Sequence, residues 1–404
     1  MGSDGVQGAE AAAIRGSPWE VLLVFLRLGL TSFGGPVAHI GYFRHEFVSR
    51  RRWLGERAFA DLVALCQFLP GPASSQLGFS IGLLRAGYAG ALAAWTGFTL
   101  PSAVAMTLFA AGAGALRGAP AAGLLHGLKL AAVAVVAQAV WGMARSACAG
   151  WARAAIAVAA AAAILLIADP LTQIGVIVGG ALAGLVVCRE IAQAPVSGEA
   201  LLVSRRTGLI AGAAFLTLLV GLPVAAQISR SPTLRLFQAV YHSGALVFGG
   251  GHVVLPLLRQ QFVDTGWVDN GTFLAGYGAA QAMPGPLFTV GAYLGFAGRP
   301  VPGPVGAALG LVGLFLPGLL ILLAALPFWA RLKAGAGAQA AMRGVNAAVV
   351  GLLAATLYSP LWTTSVRGPA DAAVALAGFG LLTFVRLPPI AVVTLCAGAG
   401  MLLG

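Results

Sequence analysis

Carboxylates are scarce in this 404-residue chain: 12 Asp and Glu stand against 24 Lys and Arg, and charged residues make up 9% of the sequence. A soluble domain carries about a quarter of its residues as charges, so a water-facing surface of this size would go uncovered. Lysine is nearly absent, with Lys129 and Lys333 alone. The four cysteines, Cys66, Cys148, Cys188 and Cys396, lie far apart in apolar stretches with no CxxC spacing. That excludes a secreted disulfide scaffold and gives no ligand set for a structural metal. No HExxH, GxSxG or GxxxxGK[ST] pattern occurs, so a membrane protease, an acyl hydrolase and an ATP-driven pump all lack their reacting groups. No enzyme, cofactor or metal is expected.

What the chain does have is apolar length. Hydrophobic residues reach 59%, with mean hydropathy +0.91. The expected fold is an all-α polytopic membrane protein, partnered by the lipid bilayer. Its 57 glycines and 22 prolines fit that class, because membrane helices tolerate both. The net charge of +12 does not indicate nucleic acid, since the basic residues fall mostly between apolar runs, as the positive-inside bias requires. Residues 1–18 are small and polar without an apolar signal core, and read as a disordered tail. Apolar runs approaching the ~20 residues of a membrane helix recur about thirteen times thereafter, ten at the least if the short ones pair.

The runs are duplicated. Phe33-Gly34-Gly35 recurs as Phe248-Gly249-Gly250, Trp53 as Trp267, and Gln67 as Gln281; Pro70-Gly71-Pro72 recurs as Pro284-Gly285-Pro286, and Leu100-Pro101 as Leu316-Pro317. The offsets of these pairs drift only from 214 to 216 along the chain. One repeat covers 19–188 and the other 236–404, with a linker at 189–235 that holds one extra apolar segment. If each half crosses six times, that extra segment inverts the second half, a transporter signature. The parity stays open, because segments holding Pro-Gly-Pro can instead be re-entrant hairpins. The arginine-rich 44–57 loop reads as cytoplasmic.

Each repeat carries two backbone breaks. Proline removes a donor and glycine frees the backbone, so Gly34-Gly35-Pro36 and Pro70-Gly71-Pro72 each end one half-helix and start another. Gly249-Gly250 and Pro284-Gly285-Pro286 do the same in the second half. Broken backbone survives in lipid only against protein or a watery cavity, and a half-helix start presents free N–H groups and partial positive charge to an anion. The alternative is four plain kinks. Ser74, Ser75 and Gln76 follow the first Pro-Gly-Pro, Thr289 follows the second, and Gln67 and Gln281 precede them; all can donate to an oxyanion or act as helix–helix glue. Arg27 and Thr31 share a helical stripe with Gly34, and Lys129 lies in an apolar segment, so both cations are candidate anion partners. His39, His252 and Asp61 are the proton-carrying candidates, with packing as the plainer role for the histidines. So few buried carboxylates argue for an anionic rather than a cationic solute.

At Phe33-Gly34-Gly35-Pro36 with His39, at the stretch from Gln67 to Gln76, and at Phe248 to His252 and Gln281 to Pro286, the chain resembles the chromate transporter family in its long, two-repeat form. The resemblance implies a secondary transporter in a bacterial inner membrane that expels chromate from the cytoplasm, driven by the proton motive force. Sulfate, alike in shape and charge, is the natural competitor or exchange partner, and a sulfate exchanger or importer is the alternative function. The second repeat lacks the Ser-Ser-Gln that follows the first Pro-Gly-Pro, which weights the expected site toward the first. Many such transporters form homodimers, but no sequence feature marks an interface.

Overall fold

A computed structural model describes residues 16–113, 119–167, 169, 171–188, 203–248, 251–329, 332 and 335–403. The described elements are helical throughout. Five of the helices are long and apolar enough to cross a membrane. Large apolar side chains such as Trp151, Leu166, Leu209, Ile228 and Phe384 stand fully outward, as a lipid-facing surface allows.

The first half opens with two helical hairpins rather than two crossings. Helix α1 (Pro18–Thr31) starts at Ser17, whose side chain accepts the Glu20 N–H with Pro18 in the first turn. It ends at Ser32, and the chain turns through Gly34 (φ 103°) and Gly35 (φ 73°). These left-handed angles suit glycine. Helix α2 (Gly35–Phe43) and a π-turn at Arg44–Arg50 then run back along α1. Phe25 of α1 meets Phe43 at 5.5 Å and stacks on Phe47 at 4.9 Å. Helix α3 (Glu56–Phe68) leads inward to Pro70-Gly71-Pro72, and the first arm of α4 (Ala73–Ala113) leads out again. At its end Arg85 reaches Glu20 at 3.1 Å and lies over the Trp53 ring. Both hairpins therefore begin and end on one face, here called face I.

The 41 residues of α4 are two helices. Ala86 (φ −144°) and Gly87 (φ 65°) leave the helical region, and a Cβ on Gly82 would strike the Gly90 carbonyl. Eight residues of straight helix would separate those glycines by about 12 Å; they touch because the chain doubles back. The second arm, 88–113, crosses to the opposite face II. Helix α5 (Ala119–Ala147) returns, and α6 (Trp151–Leu166) and α7 (Thr172–Val187) form a pair that comes back to face I. Helix α8 (Arg205–Ser229) crosses once more.

The second half repeats this plan from face II. Helix α9 (Pro232–Ala245) is capped by Ser231 with Pro232 in its first turn, as Ser17-Pro18 caps α1. Helices α10 (Val254–Phe262), α11 (Asn270–Ala282) and α12 (Val290–Ala297) complete its two hairpins. Gly303 (φ 91°) stands where Gly87 does, and Gly295 packs on Gly306 as Gly82 packs on Gly90. Then come α13 (Pro304–Ala325), α14 (Ala336–Thr356), α15 (Pro369–Gly380) and α16 (Pro389–Leu403). Small residues let helices cross closely: Gly127 lies on Cys396 and Ala397, Gly123 on Gly400, and Gly344 on Gly180 and Gly184. The 18–43 and 59–84 segments, like their copies, thus reverse inside the protein instead of spanning it.

Candidate functional site

The hairpins of the two halves meet tip to tip, each Pro-Gly-Pro of one half pairing with the chain just before the glycine break of the other. The Gly71 N–H donates to the Val247 carbonyl at 2.7 Å, and the Gly285 N–H donates to the Ser32 carbonyl at 2.9 Å. The repeat exchanges these two bonds, since Gly71 matches Gly285 and Ser32 matches Val247. A Cβ on Gly71 would lie 2.8 Å from the Gly318 Cα, and one on Gly285 would lie 2.9 Å from the Ser102 Oγ. Glycine is required at both tips for close backbone approach. Pro36 completes the junction, 3.6 Å from where a Cβ on Gly251 would sit.

Beside the tips is a small cavity of about 40 Å³. Gly34 and Gly35 enter it from the first half, and His252, Ala280, Gln281, Met283, Gly285 and Leu287 from the second; Val135 and Gln138 of α5 and Pro389 of α16 close it. Helix α2 starts at Gly35, the turn into α12 at Leu287, and α16 at Pro389, so three helix starts face one small volume. Each brings the partial positive charge of a helix start, although Pro36 and Pro389 have no N–H and the Thr289 and Ala391 N–H groups already donate to the Pro286 and Pro388 carbonyls. The Gln281 amide nitrogen is buried there without a hydrogen-bond partner among the described residues, so a donor stands ready. The His252 Nδ1 pairs with the Tyr277 hydroxyl at 2.9 Å. No Arg, Lys, Asp or Glu is among the described lining residues.

The other residues singled out in the sequence lie around this cavity. Gln76 is fully buried, its amide donating to the Pro70 carbonyl at 2.9 Å and the Gly318 carbonyl at 2.8 Å. It ties the first tip to α13. Ser74 and Ser75 are buried beside it, Pro72 packs on Gly318, and Gln67 is exposed. The Thr289 hydroxyl donates to the Pro286 carbonyl at 2.9 Å and caps its own turn. Arg27 and Thr31 are exposed on α1, the Thr31 hydroxyl donating to the Arg27 carbonyl. The Lys129 ammonium lies against Gly271 and the Asp269 carboxylate at the base of α11, well away from the tips. His39 is buried, its Nε2 3.2 Å from the Ser32 carbonyl and its ring edge-on to Phe98. Asp61 is half-buried on α3. Gly249 and Gly250 lie outside the described residues.

Gln138 and Pro389 were not singled out in the sequence. A glutamine within the apolar α5 was the available signal for the first, and the proline starting α16 for the second.

The chromate transporter family profile matches the chain twice, over residues 19–185 and 234–401. A chromate transport protein of Pseudomonas aeruginosa is 30% identical over 368 residues, covering 85% of this chain and 81% of that one. A chromate transport protein of Cupriavidus metallidurans is 25% identical over 344 residues, covering 83% and 80%. No solved structure matches. The two-fold family match falls on the two halves whose hairpin tips build the cavity: the chain belongs to the chromate transporter family.

Proposed function

We propose that the protein exports chromate from the cytoplasm of a bacterial cell across the inner membrane, as a secondary transporter energised by the proton motive force, with the dianion held at mid-membrane in the cavity between the hairpin tips. The observation that carries this reading is the donor set without an acid: three helix starts, Gln138 and the unpaired Gln281 amide around a space with no carboxylate among the described residues. A dianion there is met by N–H groups and dipoles rather than by a fixed cation, which holds it without trapping it. The named chromate transport relatives support the choice of solute.

The sidedness follows from charge. Face I carries Arg44, Arg50, Arg51, Arg52 and Arg57, then Arg145, Arg153, Arg205 and Arg206, outnumbering the basic residues on the loops of face II. The positive-inside bias makes face I cytoplasmic. Access then alternates as the two hairpin pairs rock about their shared tips.

Chromate uptake by everted membrane vesicles tests the proposal. Uptake that collapses with an uncoupler and is inhibited by excess sulfate is the expected result. Uptake that ignores the uncoupler but needs internal sulfate would replace it with anion exchange. No chromate uptake in vesicles that contain the folded protein would overturn it.

A further inference from the structure

At the base of the second-half hairpins, on face II, the helices leave a second cavity of about 540 Å³. Its walls include Arg230 at the end of α8, Arg235 and Gln238 at the start of α9, Gln261 at the end of α10, and Thr265 and Trp267 after it. No carboxylate lines it among the described residues. Asp264, the acid nearest in sequence, is bound by Arg259 at 3.1 Å.

The repeat shows what this position holds in the first half. Trp267 matches Trp53, Arg235 matches Glu20, and Thr265 matches Arg51. At the first-half base the charges are ion-paired: Glu20 meets Arg51 and Arg85, Glu46 meets Arg50 and Arg51, and Trp53 lies under two guanidinium groups. At the second-half base the matching acid is an arginine. Arg230 comes from α8, which has no first-half counterpart, and is held in a left-handed conformation (φ 51°) that glycine would adopt more cheaply. Neither Arg230 nor Arg235 forms an ion pair among the described residues. The same position is thus held by carboxylate–arginine pairs on face I, and lined by arginines without an ion pair among the described residues on face II.

A polar stripe leads inward from the opening. Arg235, Gln238 and His242 share one side of α9, and the Gln238 amide pairs with His242 Nδ1 at 2.9 Å. The stripe points toward the 248–251 break, beyond which His252 lines the central cavity.

We propose that the face II cavity is an oxyanion vestibule, a second binding station where Arg230 and Arg235 hold a tetrahedral dianion passing between water and the central cavity. Two guanidinium groups over polar amides fit such an anion through charge-assisted hydrogen bonds. The proposal rests on the oxyanion reading above, and its test does not use transport. In a Cys148→Ser background, Thr265→Cys places a thiol on the vestibule wall, while Cys66, Cys188 and Cys396 are buried. Modification of purified protein by a membrane-impermeant thiol reagent is followed with sodium sulfate and with sodium chloride at matched ionic strength. Sulfate is expected to slow modification several-fold and chloride is not. Arg230→Gln with Arg235→Gln should remove the protection, and Arg230→Lys with Arg235→Lys should retain it. Protection that is absent, equal with chloride, or unchanged in the double Gln variant overturns the vestibule, even where vesicles transport chromate. Protection in a protein that moves no chromate would fault the transport reading instead.

Discussion

Gln67 and Gln281 are the same residue of the repeat, yet Gln67 is exposed while Gln281 faces the central cavity with its amide nitrogen unpaired. Substitution at Gln281 therefore reads the site directly. Two like charges about 4 Å apart repel by roughly 4 kcal/mol at an effective dielectric of 20, so Gln281→Glu should lower chromate flux by more than about ten-fold. Gln281→Ala removes a donor alone, worth about 1 kcal/mol, and should raise KM several-fold with the protein still folded. Equal flux from all three forms would remove Gln281 from the path. The tip glycines separate folding from transport. A Cβ on Gly35 meets nothing within 4 Å, and its φ of 73° costs about 1–2 kcal/mol for a side chain. On Gly71 (φ 118°) the same atom would also lie 2.8 Å from backbone at Gly318. Gly35→Ala should keep its elution profile in detergent and lose transport, whereas Gly71→Ala should lose folded yield. The glycines and Gln281 were legible in the sequence because breaks and their repetition are local signals. Gln138 and Pro389 were not, because they reach the cavity by packing, and Arg27 and Lys129 were singled out on charge in apolar sequence, which says nothing of the direction a side chain takes.

At the scale of elements, the breaks were visible but their consequence was not. A Gly-Gly-Pro in an apolar run ends a half-helix whether the next one continues or turns back, and hydropathy is the same in either case. The reversal is decided by contacts distant in sequence: Phe25 on Phe47, and Arg85 against Glu20 and Trp53. The apolar runs 59–84 and 88–115 do bracket the turn at Ala86 and Gly87. What holds the turn at the base of the first hairpin is Glu46, 7% exposed, which accepts from Arg51 at 2.6 Å and Arg50 at 3.0 Å. Burial alone would raise its carboxyl, but the two guanidinium groups outweigh that and hold it below its ordinary value near 4.5. A depressed acid contributes stability that is present above the ordinary value and lost as pH falls through the lowered one. The wild-type midpoint in detergent should therefore fall as pH drops below about 4.5. Glu46→Gln should lose about 2–3 kcal/mol at neutral pH and show a weaker acid dependence. Identical pH profiles for the two proteins would discount Glu46 as the group holding that turn.

For the whole molecule, duplication is written plainly in the sequence, while its sense depends on parity. Six crossings per half and the observed arrangement, in which two hairpins and the α6–α7 pair each return to their starting face, give the same even count. The extra helix α8 then delivers the second half to face II, and the paired bonds from Gly71 to Val247 and from Gly285 to Ser32 are what inverted repeats meeting at mid-membrane should make. Equivalent positions of the two repeats must then lie on opposite sides of the bilayer. Arg50 and Asp264 are such positions, both in the turns at hairpin bases and both exposed. In a Cys148→Ser background, a cysteine replacing Asp264 should react with an impermeant thiol reagent applied to intact spheroplasts. A cysteine replacing Arg50, which also loses one partner of Glu46, should react only in everted vesicles. Both reacting from one side would mean parallel repeats, and the tip-to-tip cavity could not then alternate between two faces by exchanging equivalent conformations of its halves.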